Sequence, residues 1–419
     1  MKIRLIRNPN PPALASLDWK RKLSELEFIC GGKMKKLIYF VLILSLFLCC
    51  APKQEKVEKI IEDGVEIVLN HIEPYKIKGE PATFILEEKF SIDTERDEIA
   101  EAGLTEIWHF DVDSEGNIYF TSYFTRDYGV FIFDKNGNFV KSFGRRGQGP
   151  GEIQQPASIK INSRDEVTII DMERKKLLIF DKNGRLIEEM PVSSNMDEIN
   201  ALKNGKYLIQ KRIVEEETPS EYLAQLPLLL CSSEFEEIKE LGRQRFPNYD
   251  RIKRFKGVWP VFTWSVSDGK IFVGNDESGY EINVYDLEGN LIKKIKKEYK
   301  HVEIPEEYKK GLLKVLEPYK NKIYFPKDWP PFQYLFSDDE GRLFVMTFEE
   351  GLHTGEYMFD IFNPDGIFIA RASLGNYGYL EYRGGKGPLD VKATSNYLYC
   401  IKEKESGYKK LVVYNMKWE

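Results

Sequence analysis

Asp111-Val-Asp113-Ser-Glu-Gly116 sets side-chain oxygens at the spacing that opens a calcium loop. Such a loop needs a bidentate Glu at its twelfth position, and the twelfth residue from Asp111 is Ser122. The segment therefore reads as a hairpin turn, closed by Asp113 on its own backbone. His109, flanked by Trp108 and Phe110, is expected to pack or to line a channel rather than to act as a base. The sequence has no His-Glu-x-x-His or Cys-x-x-Cys, and its four His and five Cys are scattered, so neither a metalloenzyme nor a disulfide scaffold is indicated. Gly144-Arg-Arg-Gly-Gln-Gly-Pro-Gly-Glu152 is rich in glycine but lacks the Lys-Ser/Thr ending of a phosphate loop. It reads as a structural connector. No catalytic residue, metal ligand or cofactor is expected.

The elements that would position these residues are strands. Asp-x-x-Gly and related turns recur along the chain: Asp113–Gly116, Asp134–Gly137, Asp181–Gly184, Asn204-Gly205, Asp268-Gly269, Asp286–Gly289, Asp339–Gly341 and Asn363–Gly366. Each lies beside runs such as Val130-Phe-Ile-Phe or Leu343-Phe-Val-Met, with the length and composition of strands. Glycine supplies the positive φ that tight hairpins need. The turns alternate between two kinds, and pairing them gives six units of four short strands each. Radial repetition of such units is a β-propeller, so the fold class expected is all-β, a six-bladed propeller over residues 82–419. The last unit, Leu389 to Trp418, holds three strands, and Thr83–Ile92 is free to close it. Between the fourth and fifth units, Tyr299–Trp329 breaks the repeat. Its Ile304-Pro-Glu-Glu start and the spacing of Tyr308, Leu312, Leu313 and Leu316 predict a short amphipathic helix on the rim.

The chain begins with addressing. Lys35 and Lys36 precede a twelve-residue apolar run, Leu37–Leu48, then Cys49-Cys50. A run of that length is short of the ~20 residues that span a bilayer and fits a secretory signal. The pattern resembles a bacterial lipoprotein signal, with Cys50, behind the small Cys49, as the residue expected to receive acyl chains such as palmitate. Residues 34–50 are then the signal, and 51–81 a charged tether. Residues 1–33 fit no export signal, and Gly31-Gly32 can be encoded by a ribosome-binding sequence. Translation is therefore expected to start at Met34, with 1–33 an extension read in error. From Cys50 on, the chain carries 52 Lys+Arg against 64 Asp+Glu. That acidic balance argues against nucleic acid as a partner and leaves the lipid as the membrane contact. Ala51 lacks the acidic character that would retain a lipoprotein at an inner membrane, so an extracytoplasmic place on the envelope is expected, at an outer membrane if the cell has one.

Phe110–Tyr119 through Val130–Gly144 and Gly147–Glu152 resembles an NHL repeat, and the unit through Met190 is similar. With the signal, the chain resembles the bacterial six-bladed β-propeller lipoproteins. The resemblance implies the fold and hardly any function, since one fold hosts many activities. It also implies that blade connectors open on the face where propellers bind. The candidates there are Tyr123, Arg126, Tyr128, Arg145, Arg146, Arg243, Arg245, Trp259, Trp264 and His353, residue types enriched in binding hot spots. His109, Asp111 and Asn162 are the channel candidates. The function expected is a lipid-anchored, non-catalytic binding or scaffold module for a protein, peptide or glycan. The alternative is a metal-dependent hydrolase or lyase of gluconolactonase or amidating-lyase type. Such a site needs convergent acids, and the innermost strands offer Lys160 and Lys392 beside Asp111.

Overall fold

In the computed structural model, residues 57–122, 128–193, 195–214, 221–375 and 391–419 are described. Every blade starts at its innermost strand. Blade one is His109–Val112, Ile118–Thr121, Tyr128–Phe133 and Phe139–Arg145, and blade two is Pro156–Ile161, Val167–Asp171, Lys176–Phe180 and Leu186–Pro191. Blade three is Met196–Ala201, Tyr207–Lys211, Tyr222–Cys231 and Glu237–Pro247, with a short extra strand, Ile213–Val214. Blade four begins with Phe262–Ser267, Lys270–Asn275, Glu281–Asp286 and Leu291–Lys297, and blade five is Tyr334–Ser337, Leu343–Glu350, Glu356–Phe362 and Phe368–Gly375. In blade six, Val391–Ala393, Tyr397–Glu403 and Lys409–Trp418 are completed by Phe84–Asp93, antiparallel to the last strand from Trp418↔Phe84 to Lys410↔Asp93. The ring is closed as expected.

Alternating side chains hold the ring together. In Tyr128–Phe133, Phe131 and Phe133 join the cluster shared with blade six, while Val130 and Ile132 join the cluster shared with blade two. Such strands are buried on both sides and read as nearly continuous apolar runs. Six apolar clusters fill the six seams between blades. The turns work as their sequence implies. Asp134 Oδ1 accepts from the amides of Asn136 (2.8 Å) and Asn138 (2.9 Å), and Gly137 has φ +86°. A Cβ on Gly137 would come within 2.7 Å of the Phe90 ring, so the seam and the turn both require glycine there.

Three features differ from the expectation. Residues 51–81 are not a free tether throughout: Glu58–Glu62 and Val65–Asn70 form a hairpin around Asp63-Gly64, and Val65–Asn70 runs parallel to Leu291–Lys297. Blade four therefore has six strands rather than four. The cause is apolar: Ile67 and Val68 are buried in its outer face. The chain then crosses blade five, where Tyr75 N donates to Phe368 O (2.8 Å). Finally, the insertion holds the expected helix, Glu306–Val315, but continues as a 3-10 helix over Glu317–Lys322. Lys56–Glu419 makes one compact unit. Among the described residues no helix is long and apolar enough to cross a membrane.

Candidate functional site

The innermost strands surround the axis, and their polar side chains are engaged with one another. Lys392 of blade six lies 2.8 Å from Asp111 of blade one, and Asp111 also accepts from the amides of Val112 (2.9 Å) and Ile161 (2.7 Å). Lys160 of blade two pairs with Glu198 of blade three at 2.8 Å. Ser265 and Ser337, on blades four and five, share a hydrogen bond of 2.7 Å. The pairs join adjacent blades around the ring, so these groups act as staples. His109 is half-buried, edge-on to Trp108. Asn162 directly follows the innermost strand Pro156–Ile161. Its Oδ1 accepts from the amides of Arg164 (2.9 Å) and Glu166 (3.1 Å), closing a turn as Asp113 does in blade one. Among the described residues no group of three or more His, Cys, Asp or Glu is placed to hold a metal ion.

The connector from blade one to blade two is tightly held. The Arg174 guanidinium, with its side chain 7% exposed, donates to the carbonyls of Gln148 (3.0 Å), Gly149 (3.2 Å) and Glu152. Asp171 accepts from the amides of Gln154 and Gln155. Glu189 accepts from Gly151 N, Lys176 and Arg174. The hydrogen bond from Lys176 is the main reason its carboxyl sits below the ordinary 4.5, with burial opposing. Arg145 and Arg146 stand exposed on this braced loop. Arg145 O accepts from Ile153 N (2.8 Å), but neither guanidinium makes a hydrogen bond or ion pair among the described residues. Tyr128 pairs through its backbone with Arg145; its side chain, like Tyr123, Arg126 and Cys50, lies outside the described residues.

The other candidates divide. Arg243 is bound to Glu240 and Gln225 within blade three. Trp264 packs into the seam between blades three and four, where an innermost strand must fill space. Arg245 lies over Tyr222. His353 is exposed at the tip of a blade-five loop. Trp259 lines a small cleft with Tyr249, Phe255, Tyr308, Leu312 and Leu316. The cleft exists because the connector after blade three pairs with the insertion after blade four. Phe255–Lys256 runs parallel to Ile323–Tyr324, Tyr319 donates to Asp250 (2.9 Å), and Lys322 donates to the carbonyls of Tyr249 and Asp250.

One cluster had no signal in the sequence. Asp360, 1% exposed, accepts from Tyr280 (2.9 Å) and from Arg371 Nε (3.0 Å), with Lys297 Nζ at 3.4 Å. Arg371 also donates to Glu349. Burial, reinforced by Asp360, holds the Tyr280 hydroxyl well above its ordinary value. Burial pulls Lys297 down, with Asp360 opposing. Asp360, Tyr280 and Lys297 are buried, Arg371 and Glu349 are partly exposed, and the group clamps blade four to blade five. Its members come from four separate strands and, at Tyr280, from the loop before a fifth, so no local pattern announces it. Cys231 and Cys400 are buried thiols rather than a disulfide, and Cys400 Sγ donates to Val412 O (3.8 Å).

Residues 90–252 match the model of a family described as a 6-bladed beta-propeller. The chain is a six-bladed β-propeller. No curated protein matches its sequence. Among solved structures it is similar to a candidate exported protein of Bacteroides fragilis, at 12% identity and TM-score 0.47 over 84% of this chain and 99% of that one. It is similar to a duf4221-family member from Bacteroides vulgatus at 12% identity and TM-score 0.45, covering 88% and 100%. A gluconolactonase from Xanthomonas campestris is similar at 9% identity and TM-score 0.39, covering 80% and 100%. None of these likenesses carries an argument about what this chain binds or transforms.

Proposed function

We propose that the protein is a lipid-anchored, extracytoplasmic β-propeller that binds a protein, peptide or glycan bearing acidic groups. The observation that carries this reading is the connector after blade one. Its backbone is fixed by the buried Arg174, while Arg145 and Arg146 are exposed. A braced backbone lowers the ordering cost of binding, and guanidinium groups recognise carboxylate and phosphate in a forked geometry.

The test is a binding screen of the full-length protein against acidic peptides and glycans, beside an Arg145→Glu/Arg146→Glu variant. An acidic ligand lost in the variant, at unchanged melting temperature, supports the reading; equal binding by both moves the ligand surface elsewhere. Intact mass of membrane-extracted protein beside Cys50→Ser decides the anchor. The alternative, a metal-dependent hydrolase or lyase, rests on His109 and Asp111 standing two residues apart on an innermost strand. Stoichiometric calcium or zinc on the purified protein would favour it.

A further inference from the structure

The hairpin on blade four changes how the molecule can sit on a membrane. Only residues 51–56 separate Cys50 from Val57, where the described fold begins. Seven Cα steps span at most ~25 Å, against roughly 100 Å for a tether running to residue 81. The attachment also has a definite place. Glu58 pairs with Leu69, and Asn70 with Lys297. The chain therefore enters at the end of blade four opposite its Asp286–Gly289 turn, which is the end bearing the connectors. Val57 and Tyr299, the root of the insertion, pack against the same buried cluster.

The surface beside that point has the opposite charge from the rest of the molecule. Residues 248–256 and 299–329, the connector and insertion joined around the aromatic cleft, carry eleven Lys and Arg against six Asp and Glu. The whole chain has 61 against 67. Arg251, Lys253, Lys310, Lys314 and Lys327 are exposed, and so are the apolar Val315 (61%) and the aromatic Tyr324 (39%). Basic groups close to an anionic bilayer are attracted over a Debye length, and Tyr suits the headgroup layer. The acidic remainder is repelled from the same surface.

We propose that the connector end of blade four rests on an anionic phospholipid surface, with the basic connector and insertion as its contact. The short reach from the anchor builds on the reading that Cys50 is lipidated; the charge reversal stands independently of it. The blade-one connector lies on the same connector-bearing end, across the ring from this contact.

The test places a fluorophore on Val315→Cys or on Val140→Cys, an exposed position across the ring. Lipidated full-length protein is inserted into phosphatidylcholine–phosphatidylglycerol vesicles containing a spin-labelled lipid quencher. Quenching is expected to be several-fold stronger at 315, and weaker in a Lys310→Glu/Lys314→Glu background. Equal quenching at both positions overturns the proposal even where mass shows the acyl groups. Where mass shows none, the lipid reading fails by itself, and residues 51–419 are sedimented with vesicles. Pelleting with phosphatidylglycerol but not with phosphatidylcholine alone, abolished by salt, supports the surface; no such difference overturns it.

Discussion

Blades one and two are built from their own neighbourhoods, whereas blade four is completed from far away. In the first pair, strand follows strand through turns of a few residues, and Asp134 or Asp181 closes each turn on its own backbone. In blade four, Asn70 reaches across 226 residues to the carbonyl of Lys296 and also bonds to Gly366 O and Phe368 N of blade five. Local turn chemistry can repeat a blade, but a sector that differs from its siblings needs long-range contacts.

The largest effect should come from starting the chain at Glu95, which removes both the hairpin and the strand paired with Lys409–Trp418. Such a protein is expected to lose its single cooperative melting transition by circular dichroism. A chain that melts unchanged would show the closure to be dispensable. Next is Asp360→Ala, which leaves Lys297 and Arg371 facing each other in a buried place and should cost about 3–5 kcal/mol in denaturant unfolding. Asp134→Ala, on an exposed turn of blade one, should cost only about 0.5–1.5 kcal/mol. Equal costs would erase the contrast between the two regions.

Asn70→Ala removes a 3%-exposed side chain with three hydrogen bonds. A loss of about 1–3 kcal/mol is expected, with faster hydrogen exchange in residues 58–70 and none of that change in blades one and two. The smallest effect concerns pH. Glu189 is held below 4.5 in the folded state, chiefly by Lys176, so its contribution is present above 4.5 and is lost as pH falls through its folded value. The melting-temperature gap between the wild type and Glu189→Gln should therefore shrink on acidification. A constant gap would remove Glu189 from the bracing of the blade-one connector.

What could be read in advance followed the same division. Six blades, the closing strand and the rim helix were legible because glycine turns, apolar runs and a Pro-Glu-Glu start act within a few residues. The blade-two turn after Asn162 lacks glycine and is closed by the Asn162 side chain instead. Trp264 looked like a ligand contact because an aromatic that fills a seam has the same composition as one that faces solvent. The hairpin of residues 58–70 was hidden because its parallel partner is named by no turn. The Asp360 clamp was hidden because four strands each supply a side chain.

The pairing of Phe84–Asp93 with Lys409–Trp418 has a bearing on biosynthesis. The earlier strand waits for one made more than 300 residues later, so the ring stays open until Lys409–Trp418 has been synthesised. A product cut short anywhere before Lys409 would carry two raw sheet edges, the kind of surface that recruits other strands. Closure thus acts as a check on synthesis through Trp418: only a polypeptide holding both strands covers these two edges.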